Sequence, residues 1–166
     1  MGGFGGMALG DIAEIPGPFI KNPRGIRDIE GWLTAHVLYP DYVRTIFEYQ
    51  TGVMLKNLGM YRQAVGDHIQ VIWLSGTDFG TQCSLMQSKE IFLSLYKPYY
   101  KKVNDWVHQN TPWKVFYHSC GAREQLEIFT PGGAVLCLPR YTRSWRRRRR
   151  TELSASIPRL LRRTSA

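Results

Sequence analysis

The chain has 166 residues, enough for one ordinary domain, and carries a formal net charge of +9. Hydrophobic residues make up 43% and aromatics 13%, so the chain can build a core and is not disordered by composition. The charge is unevenly placed. Residues 1–139 hold 7 Lys and 5 Arg against 12 Asp and Glu, a net of zero, whereas residues 140–166 hold 10 Arg, no Lys and the single acid Glu152. A neutral body with a basic end argues against a nucleic-acid-binding domain as such. The odd cysteines, Cys83, Cys120 and Cys137, lack the spacing of a secreted disulfide framework and fit a reducing, cytoplasmic setting. No apolar run reaches the roughly 20 residues of a membrane span, and the start "MGGFGG" lacks the pattern of a signal peptide.

Residues 1–26 are punctuated by Gly and Pro and read as loop with one short strand. Asp28 is placed to cap a short helix to about His36, and Pro40-Asp41 opens a longer one to about Ala64, stopped at Gly66. Its expected inner face is Val43, Ile46, Phe47, Gln50, Val53, Met54, Asn57, Leu58 and Tyr61. "HIQVIWLS" then reads as a buried strand, followed by the loop "GTDFGTQCSL" and a helix from Ser88 to about Gln109, interrupted or kinked at Pro98. That helix is expected to bury Phe92, Tyr96, Tyr99, Val103, Trp106 and Val107, with Lys97, Lys101 and Lys102 in solvent. "WKVFYHS" is the second buried strand, and "CGAREQLEIF" the start of a further helix. Alternation at this spacing means an α/β fold with parallel strands joined by crossover helices. From about residue 126 the periodicity ends and Arg replaces Lys. Residues 126–166 are therefore expected to be a separate, disordered, Arg-rich tail, the pattern a shifted reading frame would leave.

Ligands of parallel α/β folds gather at the C-terminal ends of the strands, and two polar clusters fall there. The first is Gly76-Thr77-Asp78-Phe79-Gly80-Thr81-Gln82, in which Asp78 can act as base or substrate anchor with Gln82 beside it. The plain alternative is a loop-capping Asp between glycines. The second is His118-Ser119-Cys120-Gly121, where a His and a Cys two apart can share a soft metal such as zinc. Two ligands do not complete a zinc site, and by spacing alone a buried thiol beside a hydrogen-bonded His is the simpler account. Cys83 reads as a small buried residue, and His36, His68 and His108 as surface or helix-packing residues.

Taken together, "SGTDFGTQ", the "YKPYYKK" helix and "YHSCG" resemble the uroporphyrinogen decarboxylase superfamily, over about residues 1–125. Gly76, Asp78, Gly80 and Gln82 match its Gly-x-Asp-x-Gly-x-Gln loop. Tyr96, Pro98, Tyr99 and Lys101 fit its Tyr-x-x-Pro-Tyr-x-Lys-like segment, and His118, Cys120 and Gly121 its His-x-Cys-Gly strand end. The resemblance implies a partial TIM-type (β/α)8 barrel, with Asp78 catalytic, Gln82, Gly76 and Gly80 binding substrate, and His118 and Cys120 binding metal. It also implies one of two activities. The His-x-Cys pair points to the methyltransferase branch, in which zinc activates a thiol acceptor and a corrinoid protein donates the methyl group. The alternative is uroporphyrinogen decarboxylase proper, acting on a porphyrinogen in heme biosynthesis without metal. A complete barrel needs about 250 residues, so this chain is expected to be an inactive piece. A rival from another class is a small basic nucleic-acid-binding protein that uses the C-terminal Arg146–Arg150 run; on the main reading no specific nucleic acid and no membrane partner is expected.

Overall fold

The computed structural model describes residues 1–4, 7–74, 76–81 and 83–119. Strand β1 (Gly2–Phe4) leads through loops into helices α1 (Ile29–Leu38) and α2 (Pro40–Val65). Strand β2 (Val71–Leu74) follows, then α3 (Lys89–Ile91), a π-helical segment (Phe92–Tyr96), α4 (Lys97–Asn110) and β3 (Lys114–Tyr117). The three strands form a parallel sheet in the order β1-β2-β3, with Gly2, Ile72 and Val115 in register and Phe4, Leu74 and Tyr117 in register. The fold is therefore mixed α/β with a small parallel sheet. The further helix expected from "CGAREQLEIF" and the Arg-rich tail lie outside the described residues.

Local sequence accounts for the element ends. The Asp28 carboxylate accepts the Gly31 amide at the start of α1, and the Ser88 hydroxyl accepts the Ile91 amide at the start of α3. Helix α2 stops at Gly66, whose φ of 56° lies in the region a side chain disfavours. Ahead of Pro98 the helix widens: the Lys97 amide donates to the Phe92 carbonyl, five residues back. Pro98 has no N–H to give, and its ring would crowd the Ser94 carbonyl in a regular α-turn, so the wider turn accommodates it.

Both connections pack on one side of the sheet. Ile72, Leu74, Val115 and Tyr117 are buried on that side beneath α2 and α4. The two helices meet through Phe47 and Tyr99, whose ring centroids lie 5.8 Å apart. The buried stripe of α2 is Val43, Phe47, Thr51, Met54 and Leu58, which corrects the expected face in one respect. Gln50, Val53 and Asn57 are exposed, because rows four and three residues apart place Thr51 inward instead. The opposite side of the sheet carries Trp73 and Phe116, in edge contact at 6.5 Å, and Trp73 remains 42% exposed.

His36 packs inside the helical layer, only 2% exposed, and stacks on Tyr96. Its Nδ1 lies 2.8 Å from the Trp32 carbonyl oxygen, which can only accept, so that nitrogen carries the proton. Nε2 is then left to accept from the Tyr96 hydroxyl at 2.6 Å. Burial pushes the imidazole pKa below its ordinary 6.5 and pushes the Tyr96 phenol up, so both groups stay neutral. His68 and His108 lie on the surface.

An unfolded chain binds a proton at His36 more readily than the folded one. Stability is therefore full above pH 6.5 and is lost as the pH falls below it toward the depressed folded value. Denaturant melts across pH 4–8 are expected to show this acid limb in wild type and its reduction in His36→Gln. Tyr96→Phe, which strips the buried Nε2 of its donor, is expected to cost about 1–3 kcal/mol at pH 8.

Candidate functional site

The C-terminal ends of the three strands converge on one rim. β1 runs out toward Met7–Asp11, β2 into Gly76–Asp78, and β3 into His118 and Ser119. Gly76 sits against the main chain of His118, and a Cβ added there would collide with the His118 carbonyl oxygen. A glycine at position 76 thus lets the two candidate clusters, expected from separate stretches of sequence, come together.

Tyr100 stands beneath them, fully buried. Its hydroxyl accepts the Thr77 amide at 2.9 Å and reaches the Met7 carbonyl oxygen at 2.9 Å and Thr77 Oγ1 at 2.8 Å. The Thr77 hydroxyl donates its own hydrogen to the Leu9 carbonyl at 2.7 Å. Burial raises the Tyr100 pKa strongly and keeps the phenol protonated. Its hydrogen bonds to Thr77 oppose that rise, and the nearby carboxylates of Asp11 and Asp78 reinforce it. Asp11, 6% exposed, adds a further tie: Oδ2 accepts the Asp78 amide at 2.7 Å and Oδ1 the Ala13 amide at 2.8 Å.

The loop beyond Asp78 is anchored at its start by an aromatic ring. Phe79 is buried against Phe92, Tyr96 and Tyr100, with ring centroids 5.1–6.0 Å away. Gly80 bridges Leu85, the Met86 amide donates to the Phe79 carbonyl, and the Thr81 amide to the Ser84 carbonyl. This closure turns Cys83 outward at its tip, so the cysteine is exposed, a correction to its expected burial.

Of the candidate residues, the structure brings Gly76, Asp78 and His118 to the same rim, with Asp78 and His118 half-buried and Gly80 buried in the loop beyond. Gln82 and Cys120 lie outside the described residues. Among the described residues no three His, Cys, Asp or Glu side chains are grouped to hold a metal ion. Of the expected pair, His118 alone is described, and one donor does not make a zinc site. Sequence reasoning missed Asp11, Thr77 and the role of Tyr100. Thr77 carried a signal in its place beside Asp78 at a strand end, but Asp11 lies in a Gly- and Pro-rich stretch with no periodicity to mark it.

Comparison of the chain with protein-family models, with curated proteins and with solved structures finds no match in any of the three. Among the described residues no helix is long and apolar enough to cross a membrane.

Two substitutions test how the rim is held. Tyr100→Phe leaves the buried Thr77 amide without its acceptor and is expected to lower stability by about 1–3 kcal/mol in denaturant melts. Gly76→Ala, which forces the β2 and β3 ends apart, is expected to cost about as much. A melt unchanged by either would show that the strand ends are not bound as described.

Proposed function

We propose that the chain is a piece of a uroporphyrinogen decarboxylase superfamily barrel, nearest to the zinc-dependent methyltransferases that use a corrinoid protein as methyl donor and a thiol as acceptor. The observation that carries this reading is the winding of the sheet. Strands adjacent in sequence are adjacent in space, and α2 and α4 lie together on one side. The other side presents Trp73 and Phe116. Parallel sheets are ordinarily covered on both faces. Within a closed barrel the Trp73 side would be the packed interior and the α2/α4 side the outer ring of helices. A doubly wound fold would instead send helices to both faces.

The two motif clusters support the same reading, since they share the rim where barrels carry their chemistry. Asp78 is the candidate acid–base or anchoring group, Gln82, Gly76 and Gly80 are the candidate substrate-binding residues, and His118 and Cys120 are the candidate ligands of an incomplete zinc set. Zinc, when bound, would supply a lowered thiol pKa. Among the described residues stand three of the strands a barrel needs and one of its metal donors, so on this reading the piece is expected to be inactive by itself. The cytoplasm is its expected compartment.

Competition with a chromophoric zinc chelator tests the proposal. Wild type is expected to hold zinc weakly, and His118→Ala and Cys120→Ser each to weaken it further by on the order of tenfold. Equal binding by wild type and both variants would sink the metal reading. It would leave the decarboxylase branch, which needs no metal, as the better account.

A further inference from the structure

Among the described residues Asp11 is the buried carboxylate that the proposed function does not use. Both of its oxygens are committed to main-chain amides, Oδ1 to Ala13 in its own loop and Oδ2 to Asp78 in the loop after β2. The residue before Asp78 is pinned as well. The Thr77 amide donates to Tyr100 and the Thr77 hydroxyl to the Leu9 carbonyl. With the Tyr100 hydroxyl also reaching Thr77 Oγ1, two consecutive residues carry four hydrogen bonds to groups outside their own loop. A connecting turn needs only that its amides be satisfied, which a neutral carbonyl does at lower desolvation cost than a buried carboxylate. What the charged acceptor adds is a short, strong bond at the amide of the one acidic residue in the turn. Fixing that residue's backbone is how a functional side chain is held ready.

We infer that Asp11 is a positioning residue for Asp78: it holds the main chain of the Asp78 turn so that the Asp78 carboxylate keeps one orientation at the rim. The inference rests on the reading of Asp78 as a functional group, and it adds the loop after β1 to a site otherwise built from the loops after β2 and β3. Asp11 itself need touch no substrate.

The test is solution NMR of the full chain, comparing wild type with Asp11→Asn, which keeps the shape but removes the charge. The coupling between the Asp78 amide nitrogen and its side-chain carboxyl carbon reports whether that side chain holds one rotamer. In wild type a single rotamer and a downfield Asp78 amide are expected. In Asp11→Asn the amide is expected to move upfield and the rotamers to average, while the amide of Val103, in the core, stays in place. An Asp78 side chain still fixed in the variant while its amide moves would make Asp11 a loop tie only and overturn the inference. So would rotamer averaging in wild type. Asp11→Ser, a smaller neutral replacement, is the second variant should Asp11→Asn not fold. Neither readout involves zinc, a thiol or a porphyrinogen, so this inference and the proposed function can fail separately.

Discussion

The Tyr100 hydroxyl is the point at which the strand ends are joined. It offers one hydrogen toward the Met7 carbonyl and Thr77 Oγ1 while accepting the Thr77 amide, and it does so where no solvent reaches. A buried hydroxyl unable to find partners would cost more than its bonds return, so the loop after β1, the turn after β2 and helix α4 must arrive together. The ring beneath the hydroxyl packs on Tyr117 of β3 at 5.2 Å and on Phe79 at 6.0 Å. One residue thus engages all three strand ends, and the candidate site rests on it.

The register of the helix that carries Tyr100 depends on Pro98. A π-turn spends about one residue more than an α-turn, so every later position rotates on the helix surface. Spacing alone predicts Tyr99 and Trp106 inside. With the π segment in place, Tyr100, Val103 and Val107 are fully inside, and Tyr99 and Trp106 move to its flank, half-buried. The accommodation of a single proline therefore selects which tyrosine meets Thr77.

The layers differ in how they are stabilised. On the helical side, His36, Phe47, Phe79, Phe92 and Tyr96 form a continuous set of edge and stacked ring contacts, with Tyr99 at its margin. Such pairs add to area burial and favour specific angles, which fixes α1, α2 and α4 against one another. The surface ion pairs, Arg44 with Asp41 and Lys101 with Asp105 among them, are exposed and contribute little by comparison. The Trp73 side of the sheet has no such layer among the described residues, and this asymmetry is what the barrel proposal explains.

The sequence by itself determined the elements whose signals are local. Asp28 and Ser88 as caps, Gly66 as a stop, the short apolar runs around Val71–Leu74 and Lys114–Tyr117, and their parallel connection all follow from periodicity, capping and alternation. It also marked Asp78 and His118 as candidates, because polar residues that follow a buried strand stand out against it. The tertiary structure alone decided the rest: that Gly76 lies on the His118 main chain, that His36 is buried against Tyr96, that Cys83 faces outward, and that Asp11 reaches the Asp78 amide. The reason is separation along the chain. Asp11 and Asp78 are 67 residues apart and His36 and Tyr96 are 60. No periodic pattern joins residues so distant. Their partners are chosen only when the burial of helices on the sheet leaves each polar group one place to find a hydrogen bond.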